Sequence, residues 1–115
     1  MIELRLKVWL EKGGETVFGL GRYELLRLTD ELGSLHKAAE ALGISYRSAW
    51  GKIRDTERRL GFELLKRKIG GRSGGGSALT DGAKKLLKEY ERLERRIAES
   101  AQKAFEKSKL PELLR

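Results

Sequence analysis

The sequence has no cysteine and only one histidine, one proline and one methionine in 115 residues. Without cysteine there is neither a disulfide framework nor a thiolate metal site. With His36 as the single imidazole, Ser–His and Cys–His pairs have no natural home. His36 itself suits a partly exposed position or a phosphate contact better than metal ligation. The carboxylates are scattered among Lys and Arg at helical spacings, as solvated i, i+4 partners would be. Asp55 and Glu57 are two apart and point to different helix faces. No catalytic residue, metal or cofactor is therefore expected, and the chain does not read as an enzyme. Long apolar runs are missing as well: none approaches membrane-spanning length, and the N-terminus alternates instead of forming a signal peptide. No membrane partner is expected, and the expected location is the cytoplasm.

Acidic charge is also in deficit. Lys and Arg number 25 against 17 Asp and Glu, a net charge of +8 with a pI near 9.9, which favours polyanion partners. The excess is local. Residues 1–44 are near neutral, at −1, and residues 73–115 carry +3. Residues 45–72 hold nine basic and three acidic side chains, a net of +6. A generic basic surface would not be so concentrated.

That basic segment overlaps "GSLHKAAEALGISYRSAWGKIRDTERRLG", from Gly33 to Gly61. Leu35, Ala38, Ala39 and Leu42 recur at i, i+3, i+4, i+7 after a good N-cap, Ser34, and predict a short amphipathic helix. The paired alanines let a second helix cross closely. Gly43 supplies the positive φ that ends the helix, Ile44 plugs the corner, and Ser45 caps a second helix running to Leu60. Ala49, Ile53 and Leu60 give that helix its inner face, with Tyr46, Trp50 and Thr56 at the margins. The pattern is that of a helix-turn-helix over 34–60. On the outer face Arg47, Gly51, Arg54 and Arg58 form one stripe, slim at the glycine, that suits a major groove. Ser45, Tyr46, Ser48 and Lys52 flank it.

The rest of the chain builds around this unit. Ile2, Leu4, Leu6, Val8 and Leu10 alternate with Glu3, Arg5, Lys7 and Trp9, which predicts a half-buried strand over 2–10. A turn at Lys12-Gly13-Gly14-Glu15 and a short return over Thr16–Phe18 complete a hairpin spanning 2–18. A support helix from Arg22 faces Leu25, Leu26, Leu28 and Leu32 inward and closes on Gly33. After Gly61, residues 62–69 read as a strand of rising basicity, "GGRSGGGS" as a glycine-rich tip, and Ala78-Leu79 as the return. The whole, 62–79, is a wing that offers Lys66, Arg67, Lys68 and Arg72 to a nucleic-acid backbone. A nucleotide-binding loop is excluded there, because no Gly-Lys-Ser/Thr ends it and no GxGxxG opens a helix after a strand. Thr80 caps a helix over 81–107 that is too long for so small a domain to cover. Its stripe of Leu86, Tyr90, Leu93, Ile97, Ala101, Ala104 and Phe105 is expected to pair with a second copy. The competing expectation is that this helix folds back on the N-terminal hairpin. Residues 108–115 are expected to be a loose tail after the break at Pro111. The fold class is mainly α with small β-hairpins: a winged helix-turn-helix over 1–80 followed by a long dimerisation helix.

These residues carry a family resemblance. "ISYRSAW", the common "AAEALGIS" turn and the wing followed by "ALT" resemble the N-terminal DNA-binding domain of the molybdate-dependent ModE regulators, within the LysR-type winged-helix group. The resemblance covers about residues 2 to 107. It implies a homodimer that binds a palindromic site in double-stranded DNA, with the recognition helix at Ser45 to Leu60 and the wing tip at Gly70 to Ser77. Family members continue into C-terminal domains that bind molybdate or tungstate. The present sequence stops at Arg115, so no oxyanion ligand is expected within it. Two other readings stand beside regulation: a non-specific architectural DNA-binding protein, and an interaction module that keeps the fold without binding DNA.

Overall fold

The computed structural model describes residues 2–68 and 76–114. Two short strands, β1 (Leu10–Lys12) and β2 (Glu15–Phe18), pair antiparallel. The turn between them is Gly13-Gly14, with φ of 61° and 82°. Two consecutive positive φ values are what a two-residue hairpin turn demands, and glycine adopts them without strain. A bulge separates Leu10 from Glu11 in the register.

Three helices follow: α1 (Leu20–Leu32), α2 (Leu35–Leu42) and α3 (Tyr46–Leu60). Each stops at a left-handed glycine: Gly33, Gly43 and Gly61, at φ of 82°, 69° and 84°. Ser34 caps α2 by accepting from Lys37 N, and Ser45 caps α3 by accepting from Ser48 N, both at 3.0 Å. Leu25, Leu26, Leu35, Ala38, Ala39, Ala49 and Ile53 meet in one buried core. The small residues on α2 and at the start of α3 let these helices approach closely. Leu32 and Leu42, expected inside, are 38% and 37% exposed, because each lies in the last turn of its helix, beyond the crossing.

The wing consists of β3 (Leu65–Lys68) and β4 (Gly76–Leu79), paired antiparallel with Lys68 opposite Gly76. Its root enters the core through Leu64, Leu65 and Leu79. The carboxylate of Glu57 accepts from Leu64 N at 2.8 Å, joining the end of α3 to the wing. Arg72 and most of the tip, 69–75, lie outside the described residues.

Thr80 caps α4 (Asp81–Lys107) by accepting from Ala83 N at 3.1 Å. Ala83, Leu87 and Tyr90 bury this helix in the domain. Tyr90 is the last anchor: its ring packs edge-on against Phe18 at 5.0 Å, and its hydroxyl donates to Val8 O at 2.7 Å. Beyond it α4 buries no side chain in the described residues and projects outward. The radius of gyration is 17.5 Å over extents of 58 × 30 × 22 Å, against about 13 Å for a compact chain of this length.

Two expectations need correction at the ends. Residues 2–9 form no strand, and Ile2, Leu4, Leu6 and Leu10 are 37–48% exposed. The strand they should pair with, β2, is only four residues long and gives way to α1, and among the described residues no other strand extends the ladder. The expected loose tail instead contains a short helix, α5 (Leu110–Leu113), with Pro111 in its first turn, where its missing N–H costs nothing.

Candidate nucleic-acid interface

The outer face of α3 is open. Ser45, Tyr46, Arg47, Ser48, Gly51, Lys52, Arg54 and Arg58 are all exposed, while Ala49, Ile53 and Thr56 on the opposite side are buried. Ser45 uses its oxygen to cap the helix. A Cβ at Gly51 would meet nothing within 4 Å, so no contact inside the chain requires glycine there. Among the described residues Arg47, Lys52 and Arg54 make no ion pair, whereas Arg58 pairs with Asp55 at 2.7 Å. Arg58 is exposed and Asp55 partly so, where such pairs are worth little, so this contact does not tie up the Arg58 guanidinium.

Arg54 is not a loose cation. Its guanidinium carbon lies 5.4 Å from the Trp50 ring centroid, and Trp50 packs in turn edge-on against Tyr46 at 6.2 Å. His36, from α2, continues the row at 5.4 Å from Tyr46. Spacing placed Trp50 only at the helix margin. Its role under Arg54 was legible in principle, since i and i+4 are neighbours on a helix.

Facing α3 across a cleft of about 980 Å³ stands the wing. Tyr46, Trp50 and Arg54 line one wall, Lys66, Arg67 and Lys68 the other, and Gly33, Ser34, His36 and Lys37 are also among its lining residues. The three wing cations are exposed. Position is enforced at one close contact: Ser77 N donates to Gly33 O at 3.1 Å, and a Cβ on Gly76 would fall inside 3.0 Å of that same oxygen. Glycine at 76 thus lets the wing lie directly on the corner between α1 and α2. Spacing gave no hint of this, because the contact joins residues 43 positions apart.

One basic residue of the concentrated segment serves the scaffold. Arg59 pairs with Glu15 at 2.7 Å and donates to Thr16 O, and Lys12 donates to Arg59 O at 3.1 Å. Behind it, Arg22 donates to Thr56 Oγ1 at 2.8 Å; burial and then the neighbouring Arg59 hold its pKa below the usual guanidinium value. Among the described residues no cluster of His, Asp or Glu suits a metal, and no helix is long and apolar enough to cross a membrane.

The stripe expected to pair with a second copy divides in two. Tyr90 is 3% exposed and Leu86 packs against the core, so both belong to the domain itself. Leu93 and Ala104 are exposed, and Ile97, Ala101 and Phe105 are half-buried, on the projecting half of α4.

Comparison with known proteins agrees with this geometry. The family model of the bacterial regulatory helix-turn-helix proteins, lysR family, matches residues 20–84. The chain is 40% identical over 74 residues to the transcriptional regulator ModE of Haemophilus influenzae, covering 64% of this chain and 29% of that protein. Against the DNA-binding transcriptional dual regulator ModE of Escherichia coli it is 36% identical over 85 residues, covering 74% and 31%. The molybdenum-pterin-binding protein MopB of Rhodobacter capsulatus is 34% identical over 101 residues, covering 88% and 37%. The chain thus spans about a third of the length of the curated relatives it matches. Among solved structures, the CbnR DNA-binding domain in complex with DNA superposes with a TM-score of 0.57 at 21% identity, over 73% of this chain and 91% of that one, a likeness of fold.

Proposed function

Because this chain belongs to the lysR family of bacterial regulatory helix-turn-helix proteins, we propose that it is a DNA-binding transcriptional regulator of the ModE-like kind that binds a palindromic duplex site as a homodimer. The observation that carries the proposal is the open cationic cleft between α3 and the wing. Arg47 and Arg54, with Tyr46 and Ser48, read base edges in the major groove, where an arginine fork matches guanine O6 and N7. Lys52, Arg58, Lys66, Arg67, Lys68 and Arg72 hold phosphates, which set position and not sequence. The projecting half of α4, through Leu93, Ile97, Ala101, Ala104 and Phe105, pairs with the partner subunit. Two recognition helices then reach successive major grooves about 34 Å apart or a multiple of it. Such a regulator works beside the chromosome, in the cytoplasm, and no catalytic step or oxyanion ligand is assigned to it.

Binding to cognate and random duplexes across a salt series separates the two kinds of contact. Arg47→Ala should cost about 1–3 kcal/mol on cognate DNA and relax preference at one base position, whereas Lys68→Ala should weaken all sequences alike and lower the salt slope by about one unit. Equal losses on cognate and random DNA for Arg47→Ala would overturn its assignment.

A further inference from the structure

The N-terminal segment has the alternation of a strand, but among the described residues no strand pairs with residues 2–9. Ile2, Leu4, Leu6 and Val8 alternate with Glu3, Arg5 and Lys7, yet only Leu10–Lys12 enter a ladder. Near its start Arg5 pairs with Glu3, two residues back, at 2.8 Å, which puts both charged side chains on one side of the segment. Its root is fixed: Val8 O accepts from Tyr90, and a Cβ on Gly19 would fall 2.9 Å from the Trp9 Cβ. Beyond that root Ile2, Leu4 and Leu6 stand 48%, 37% and 48% exposed. A segment that alternates in strand fashion, exposes its apolar side and has unpaired backbone groups is an open template for another strand.

The sequence is self-complementary in one register. With two copies antiparallel and Leu4 opposite the partner's Leu4, Glu3 faces the partner's Arg5 on both sides of the two-fold axis, and Ile2 faces the partner's Leu6. All three apolar residues then share one face. A shift that centres the pair on Leu6 sets Arg5 against the partner's Lys7; centring on Arg5 pairs Glu3 with the partner's Lys7 but sets Arg5 directly against itself, so of the three only the Leu4 register forms both opposite-charge pairs with no like charges opposed. Charge therefore selects the Leu4 register. We infer that residues 2–7 of two copies form an antiparallel two-stranded ribbon centred on Leu4, a second subunit contact besides α4. This rests on the homodimer proposed above.

The absence of native cysteine makes the register directly readable. Directly opposed residues in an antiparallel pair have Cα atoms about 4.5–5.5 Å apart, within the range a disulfide spans. Leu4→Cys should therefore link most of the protein into covalent dimers under mild oxidation. Leu6→Cys, opposite the partner's Ile2, should link at least tenfold more slowly. Glu3→Arg added to Leu4→Cys should slow linking, and Glu3→Arg with Arg5→Glu should restore it. Sedimentation of the unaltered chain, run alongside, reports the dimer independently. A dimer whose Leu4→Cys form does not link, links no faster than Leu6→Cys, or ignores the charge changes overturns the ribbon and leaves the α4 dimer standing. A chain that sediments as a monomer overturns both, and its DNA affinity then tests the remainder of the functional proposal.

Discussion

Gly51 offers a substitution for which stability and function should move in opposite directions. It sits in the interior of α3, exposed, between Arg47 and Arg54, and a Cβ there would meet nothing within 4 Å. Glycine inside a helix is less favourable than alanine by about 0.8–1 kcal/mol, so Gly51→Ala should stabilise the free chain by about 1 kcal/mol and raise Tm by roughly 4 °C. Leucine has nearly the helix propensity of alanine, so Gly51→Leu should keep most of that gain. In the proposed complex the new side chain would occupy the gap through which the Arg47–Arg54 face approaches the bases. Forcing extra carbons into a packed contact costs about 1–3 kcal/mol, which lowers affinity on the order of 5- to 150-fold for leucine and less for alanine. Thermal unfolding by circular dichroism and fluorescence anisotropy on a duplex, both at one salt concentration, measure the two effects. Leucine that leaves affinity unchanged or improves it would refute the placement of this helix face in the groove.

The wing and the aromatic core supply further tests. Gly76→Ala forces β4 to retreat by about half an ångström or more from Gly33 O and strains the Ser77–Gly33 bond; the expected cost is about 1–3 kcal/mol in denaturant unfolding, with DNA affinity reduced equally on all sequences. Tyr23 packs on Tyr90 at 5.4 Å and donates to Glu91 at 2.6 Å; burial and then this carboxylate raise its pKa from 10.0 to about 12. Folding thus favours the neutral phenol. Its contribution is fully present below pH 10 and is lost as pH rises towards about 12, so the urea midpoint of Tyr23→Phe should fall less steeply across that window than that of the unaltered chain.

The parts of the fold legible in the sequence were those set by local chemistry. Ser34, Ser45 and Thr80 read as N-caps and Gly33, Gly43 and Gly61 as stops, and each acts so, because a cap or a positive φ depends on a few neighbouring residues. The exposed arginine stripe followed from helical period in the same way. Illegible were features set by partners distant in the chain. Alternation over 2–10 was genuine, but whether it forms a ladder depends on the length of β2. Tyr90 fits the apolar period of α4 as well as Ile97 does, yet Phe18 and Val8 draw it into the domain. Docking of the wing on Gly33 depends on a glycine whose reason appears only when the two backbones meet. Arg59, identical in charge to Arg58 beside it, is turned to the hairpin by Glu15.

Selection of duplexes from a random-sequence pool at near-physiological salt tests the central claim most directly. Two α3 helices held by a two-fold dimer should enrich an inverted repeat whose half-sites lie one helical turn, or a multiple of it, apart. Retention of DNA without enrichment of any sequence, or no retention at all, would contradict the account.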